Sequence, residues 1–145
     1  RNALPLAKEL GIKIAFENVW NMMLLSPLEF ARYIDEFESP LVGAYFDVGN
    51  IVNYGWPEQW VRILGKRIAT LHIKEYSRTK SDKQGKWAGF DAEFLKGDNN
   101  WPAVMKALDQ AGYTGWGISE QPGNQAADVE TARDMIQRMD RMFAL

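Results

Sequence analysis

Two hydrophobic periods alternate along the chain, and that alternation constrains the fold more than any other feature. Four short apolar segments have strand character: residues 12–16 (IKIAF), 41–46 (LVGAYF), 67–71 (RIATL) and 115–119 (GWGIS). Stretches with helical spacing separate them. The first, residues 4–10, stops at Gly11, a natural helix end. A second opens at Ser26-Pro27, with Ser as cap, Pro at the first helical position and Glu29 in the first turn. It is expected to end at Ser39-Pro40. A third runs from Trp56-Pro57 to Gly65, and a fourth from Asn100, read as its cap, to Ala111 before Gly112. The last covers residues 125–143. A helix followed by four strand–helix pairs predicts an α/β fold built of parallel βα units. Residues 74–100 are polar and too long for a plain connection of roughly 2–6 residues, so they read as a lid or a surface insertion.

Each strand segment runs into a side chain that can bind a metal: Glu17, Asp47, His72 and Glu120. In parallel α/β folds the carboxyl ends of the strands share one face, and sites form there. Singly, an acid after a strand reads as a loop residue or the cap of the next helix. The coincidence across all four strands is what points to a site. Three carboxylates and one imidazole suit Mn²⁺, Mg²⁺, Co²⁺ or Zn²⁺. Gathering three carboxylates without a cation would be costly, through repulsion and desolvation.

Composition removes other chemistries. The 145 residues contain no Cys and a single His, which excludes disulfides, thiolate zinc sites and clusters of several histidines. The lack of Cys also fits a reducing compartment, so a cytoplasmic location is expected. With 17 Lys+Arg against 19 Asp+Glu the net charge is −2, giving no basic excess for nucleic acid or an anionic membrane. No run approaches the ~18 apolar residues of a membrane span.

Five segments carry a family resemblance: IAFENVW (residues 14–20), AYFDVGN (44–50), LHIKEYSR (71–78), KGDNNWP (96–102) and GWGISEQ (115–121). In this order they resemble the C-terminal half of the sugar phosphate isomerase/epimerase family, with its xylose isomerase-like TIM barrel and ketose 3-epimerases. The resemblance implies that residues 1–145 are a single domain forming strands five to eight of a (β/α)8 barrel. A TIM barrel takes around 250 residues, so an upstream half-barrel or a homo-oligomeric partner is expected to complete this one. It further implies that Glu17, Asp47, His72 and Glu120 hold one divalent metal ion. Glu17 and Glu120 would double as the acid/base pair, and Arg78 would contact substrate. Many members carry His at the place of Asn50. Asn can hydrogen-bond a sugar oxygen but cannot relay a proton near neutral pH.

The implied reaction is proton transfer at the carbon beside a ketose carbonyl. A metal holding the carbonyl and the neighbouring hydroxyl stabilises the enediolate, while two carboxylates exchange acid and base roles. Lys74 or Arg78 would balance charge on oxygen. Trp20, three residues after Glu17, is expected to line the pocket, whereas Trp101 reads as packing at a helix start. The substrate is expected to be a sugar or sugar phosphate, although no Gly-rich phosphate cradle is present. Two alternatives stand beside this reading: a dehydratase of a cyclic polyol resembling inosose dehydratase, and a half-barrel that is catalytically incomplete. A DNA-repair endonuclease of the same barrel type would need several histidines, and this chain has one.

Overall fold

A computed structural model describes residues 1–122 and 126–145. The elements run α1 (Leu4–Leu10), β1 (Ile14–Glu17), α2 (Pro27–Asp35), β2 (Val42–Asp47), α3 (Val48–Val52), α4 (Pro57–Leu64), β3 (Ile68–Ile73), α5 (Arg78–Gln84), α6 (Trp101–Ala111), β4 (Gly117–Ser119) and α7 (Val129–Phe143). The four strands pair in the order β1-β2-β3-β4, all parallel. Register places Glu17 opposite Tyr45, Asp47 opposite His72, and His72 opposite Ile118. The carboxyl ends of all four strands therefore lie on one side.

Alternate strand residues point to opposite faces. One set (Ala44, Phe46, Leu71 and Ile73) is buried against the helices, in a core with Phe30, Ile34, Trp60, Leu64, Val104 and Leu108. Phe46 lies nearly parallel to Trp60, with ring centroids 6.1 Å apart. The opposite face carries Tyr45, Thr70, His72 and Ile118, and Ile118 is exposed. β1 and β4 are the sheet edges.

Local signals account for most helix starts. Ser26 accepts from the Leu28 N–H, and Pro27 begins α2. Asp128 and Thr131 form a reciprocal capping box at the start of α7. Gly11 ends α1 in the left-handed region at φ 65°.

Three helix boundaries differ from expectation. Asn100 does not cap α6 with its side chain; it sits at φ 53°, and its carbonyl accepts from Ala103 and Val104. Helix α2 stops at Asp35, short of Ser39-Pro40, and Glu38 turns the chain at φ 49°. Helix α7 starts at Val129, while Gln125, the expected start, lies outside the described residues. Residues 74–100 are an ordered excursion containing α5 and a 3₁₀ segment, Lys86–Asp91. No helix among the described residues is long and apolar enough to cross a membrane.

Candidate metal centre at the strand ends

Glu17 ends β1, Asp47 ends β2, His72 lies near the end of β3, and Glu120 follows β4 by one residue. One ligand-type atom from each lies within 4.8 Å of the others. The carboxylates converge on a single ring nitrogen. His72 Nδ1 is 2.9 Å from Glu17 Oε1, 3.2 Å from Glu120 Oε2 and 3.9 Å from Asp47 Oδ2. A ring nitrogen carries at most one hydrogen, so it cannot satisfy three carboxylates.

Asp47 caps the next helix with one carboxylate oxygen and turns the other toward the cluster. It is fully buried, and its Oδ1 accepts the Asn50 N–H at 2.8 Å, capping α3. Its Oδ2 makes no hydrogen bond, although Lys74 Nζ lies 3.2 Å away. A buried carboxylate oxygen without a hydrogen bond, facing two further carboxylates and an imidazole, fits a divalent cation.

The electrostatics agree. Burial pushes the Asp47 carboxyl up to about 7, against the opposing pull of Lys74. Burial also pushes Glu120 up, but the Lys74 ammonium, 2.8 Å from its Oε2, outweighs that and brings it below its usual value. Burial disfavours the Lys74 ammonium, and Asp47 and Glu120 outweigh that and raise it. A proton on Asp47 competes with a cation. Metal affinity should therefore rise with pH up to about 7 and then level off. Without metal the sign reverses: the folded state holds this proton more tightly than the unfolded chain. Asp47's contribution is present below 3.8 and lost as pH rises through about 7. Titration calorimetry with Mn²⁺ and thermal melts across pH 4–8 would check both trends.

Residues around Asp47 hold it in place. The Asn18 amide clamps its backbone, donating to Asp47 O and accepting from Asp47 N, each at 2.8 Å. Asn50 Nδ2 donates to Asn18 O at 3.0 Å, and Trp20 Nε1 donates to Asn50 O at 2.8 Å. Gly49 lets the next strand approach: a Cβ there would sit 2.7 Å from Lys74 O and 2.8 Å from Lys74 Cγ. Gly49→Ala should displace Lys74 and cost about 1–3 kcal/mol of stability, read by thermal or denaturant melts.

A cavity of about 500 Å³ opens above the cluster, lined by Glu17, Trp20, Asn50, Lys74, Trp87, Phe90, Glu120 and Gln121 among others. Trp20 stands 5.1 Å from Trp87 and 5.0 Å from Phe90, ring to ring, and Phe90 packs edge-on to Tyr76. An aromatic wall thus faces the polar floor.

A family model for the xylose isomerase-like TIM barrel matches residues 1–142. The chain belongs to that family. The xylose isomerase domain protein of Planctomyces limnophilus shares the fold over 97% of this chain, with a TM-score of 0.77 and 19% identity. A D-tagatose 3-epimerase-like protein does so over 97%, with a TM-score of 0.70 and 22% identity. An inosose dehydratase from Geobacillus thermodenitrificans is 28% identical over 127 residues, 79% of this chain. The chain spans 50%, 52% and 42% of these three proteins in turn. Its four-stranded sheet is half of a TIM barrel.

Of the eight residues singled out from the sequence, Glu17, Trp20, Asn50, Lys74 and Glu120 line the cavity, and Asp47 and His72 join Glu17 and Glu120 in the cluster. Arg78 does not line it. Its Nε and Nη2 donate to Val52 O and Gly55 O at 2.8 and 2.9 Å, and its guanidinium lies over Trp56. Trp101 is buried in the core, as packing at a helix start requires. Sequence reasoning missed Asn18, Glu75, Tyr76 and Phe90. Asn18 and Glu75 sit inside the quoted segments beside Glu17 and Lys74, and that adjacency was the available signal.

Proposed function

We propose that the protein is a metal-dependent sugar or sugar-phosphate isomerase/epimerase that moves a proton at the carbon next to a ketose carbonyl. The observation that carries this reading is the convergence of Glu17, Asp47, His72 and Glu120 within 4.8 Å beneath an open cavity. These four would hold one Mn²⁺, Mg²⁺, Co²⁺ or Zn²⁺ ion. When bound, the ion would polarise the carbonyl and acidify the neighbouring C–H.

Glu17 and Glu120 come from the two edge strands and reach His72 Nδ1 from opposite ends of the sheet. That placement suits a pair acting on the two faces of one carbon: one carboxylate takes the proton and the other returns it. Lys74 can donate to a substrate oxygen from the cavity floor, and Asn50 lines the same floor. Trp20, Trp87 and Phe90 would stack on the sugar and limit water. The rest of the substrate envelope would come from the other half of the barrel, supplied by further chain or a second copy.

Metal content is the first test. About one divalent ion per chain is expected, lost in Asp47→Ala. A folded protein that takes up no ion at any concentration would overturn the metal reading. The similarity to an inosose dehydratase supports a second reading, loss of water from a cyclic polyol. Mass spectrometry of the product in deuterated water decides: an epimerase gains deuterium and keeps its water, whereas a dehydratase product is lighter by one water.

A further inference from the structure

We propose that the Lys74 ammonium is a built-in counter-ion of this centre, holding Asp47 and Glu120 together until a divalent cation takes over their charge. The inference rests on the metal-centre reading above and assigns Lys74 a role in metal uptake, separate from contact with substrate.

The geometry carries it. Lys74 Nζ lies 2.8 Å from Glu120 Oε2 and 3.2 Å from Asp47 Oδ2, so one ammonium bridges two of the grouped carboxylates. Those two come from β2 and the end of β4, strands that are not neighbours in the sheet. The lysine is largely buried, with its ammonium 5.0 Å from the centre of the Phe90 ring. Its placement is constructed. Asn99 Nδ2 donates to Lys74 O at 2.6 Å, and Gly49 leaves room for its stem against α3. The side chain borders the cavity, yet its ammonium sits within ion-pair distance of two of the residues that would hold the metal.

A cation entering among these carboxylates therefore meets a resident positive charge. Two like charges a few ångström apart repel strongly in a partly buried site. Entry of the metal would release Lys74 from Asp47 and Glu120, leaving its donors free for an oxygen in the cavity. Loading and substrate binding would then be linked through one side chain.

The test measures Mn²⁺ binding by titration calorimetry at one fixed pH, together with thermal melts, on the parent protein, Lys74→Met and Lys74→Arg. Lys74→Met should bind Mn²⁺ at least roughly tenfold more tightly, because the competing charge is gone. Its metal-free form should melt below the parent, and Mn²⁺ should raise its melting temperature by more than it raises the parent's. Lys74→Arg should bind close to the parent. If Lys74→Met affinity stays within about twofold of the parent or weakens, the counter-ion role is wrong and the metal centre stands. Equal tightening in Lys74→Arg would also overturn it, since charge would not be the cause. So would a Lys74→Met protein that fails to fold even with Mn²⁺ present. A parent that binds no divalent ion overturns this inference and the metal reading together.

Discussion

Glu120→Gln should slow the proposed epimer interconversion by about 10³-fold, within the range for removing a positioned acid or base. Gln keeps the size of the side chain and can still accept from Lys74, which lies 2.8 Å from Glu120 Oε2. It cannot accept a proton from carbon. Glu17→Gln should cost a similar factor, yet the two variants should differ in one readout. Each keeps one carboxylate. Each should therefore still exchange the substrate hydrogen with solvent in the epimer whose C–H faces the surviving group, and lose exchange in the other. Deuterium incorporation followed by NMR, starting from each epimer, would show complementary patterns. Turnover within about tenfold of the parent in both variants would refute the two-carboxylate assignment. Metal content measured on the same samples separates a lost proton acceptor from a lost ligand.

Much of the frame behind that experiment is legible in the chain because it depends on local patterns. Short apolar segments with strand composition found β1 to β4, and the rule that strand ends share a face found Glu17, Asp47, His72 and Glu120. What escaped depends on contacts distant in sequence. Helix α3 is five residues long, VGNIV, whose apolar residues carry no helical period; the Asp47 cap and the Asn18 clamp set it. The excursion after β3 looks like a polar loop because its anchors are single buried side chains rather than a periodic stripe. The anchoring of Arg78 is another contact that local sequence does not show. The last carbonyls of a short helix need donors, and the guanidinium takes the Val52 carbonyl at the end of α3 as its partner. Position in the sequence indicates the neighbourhood of that residue, and the Val52 and Gly55 carbonyls decide where its guanidinium sits.

Glu75→Ala should destabilise the protein by about 3 kcal/mol and release the excursion that carries Trp87 and Phe90, because it strands one buried and one part-buried donor at roughly 1–3 kcal/mol each. Glu75 is fully buried, and its Oε2 accepts both the Leu95 N–H and Trp101 Nε1–H at 2.8 Å. One carboxylate therefore ties the far end of the excursion to the start of α6. Gly97 makes room for it, since a Cβ there would lie 2.5 Å from Glu75 Oε1. Hydrogen exchange should rise over residues 86–99 in the variant, while the amides of β2 and β3 stay protected. Turnover should fall with it, because Lys74 and the aromatic wall lose their backing. Glu75→Gln isolates the charge: it keeps one oxygen for Leu95 and Trp101, so its loss should be smaller. Burial raises the Glu75 carboxyl above its ordinary 4.5, with its hydrogen bonds opposing that rise. A raised folded value means that this group's contribution is complete below 4.5 and is lost as pH rises through the folded value. The stability of the parent relative to Glu75→Gln should therefore decline with increasing pH above 4.5, a difference that cancels the titration of Asp47. A Glu75→Ala variant within about 0.5 kcal/mol of the parent, with unchanged exchange over residues 86–99, would show that the excursion is held by its aromatic packing alone.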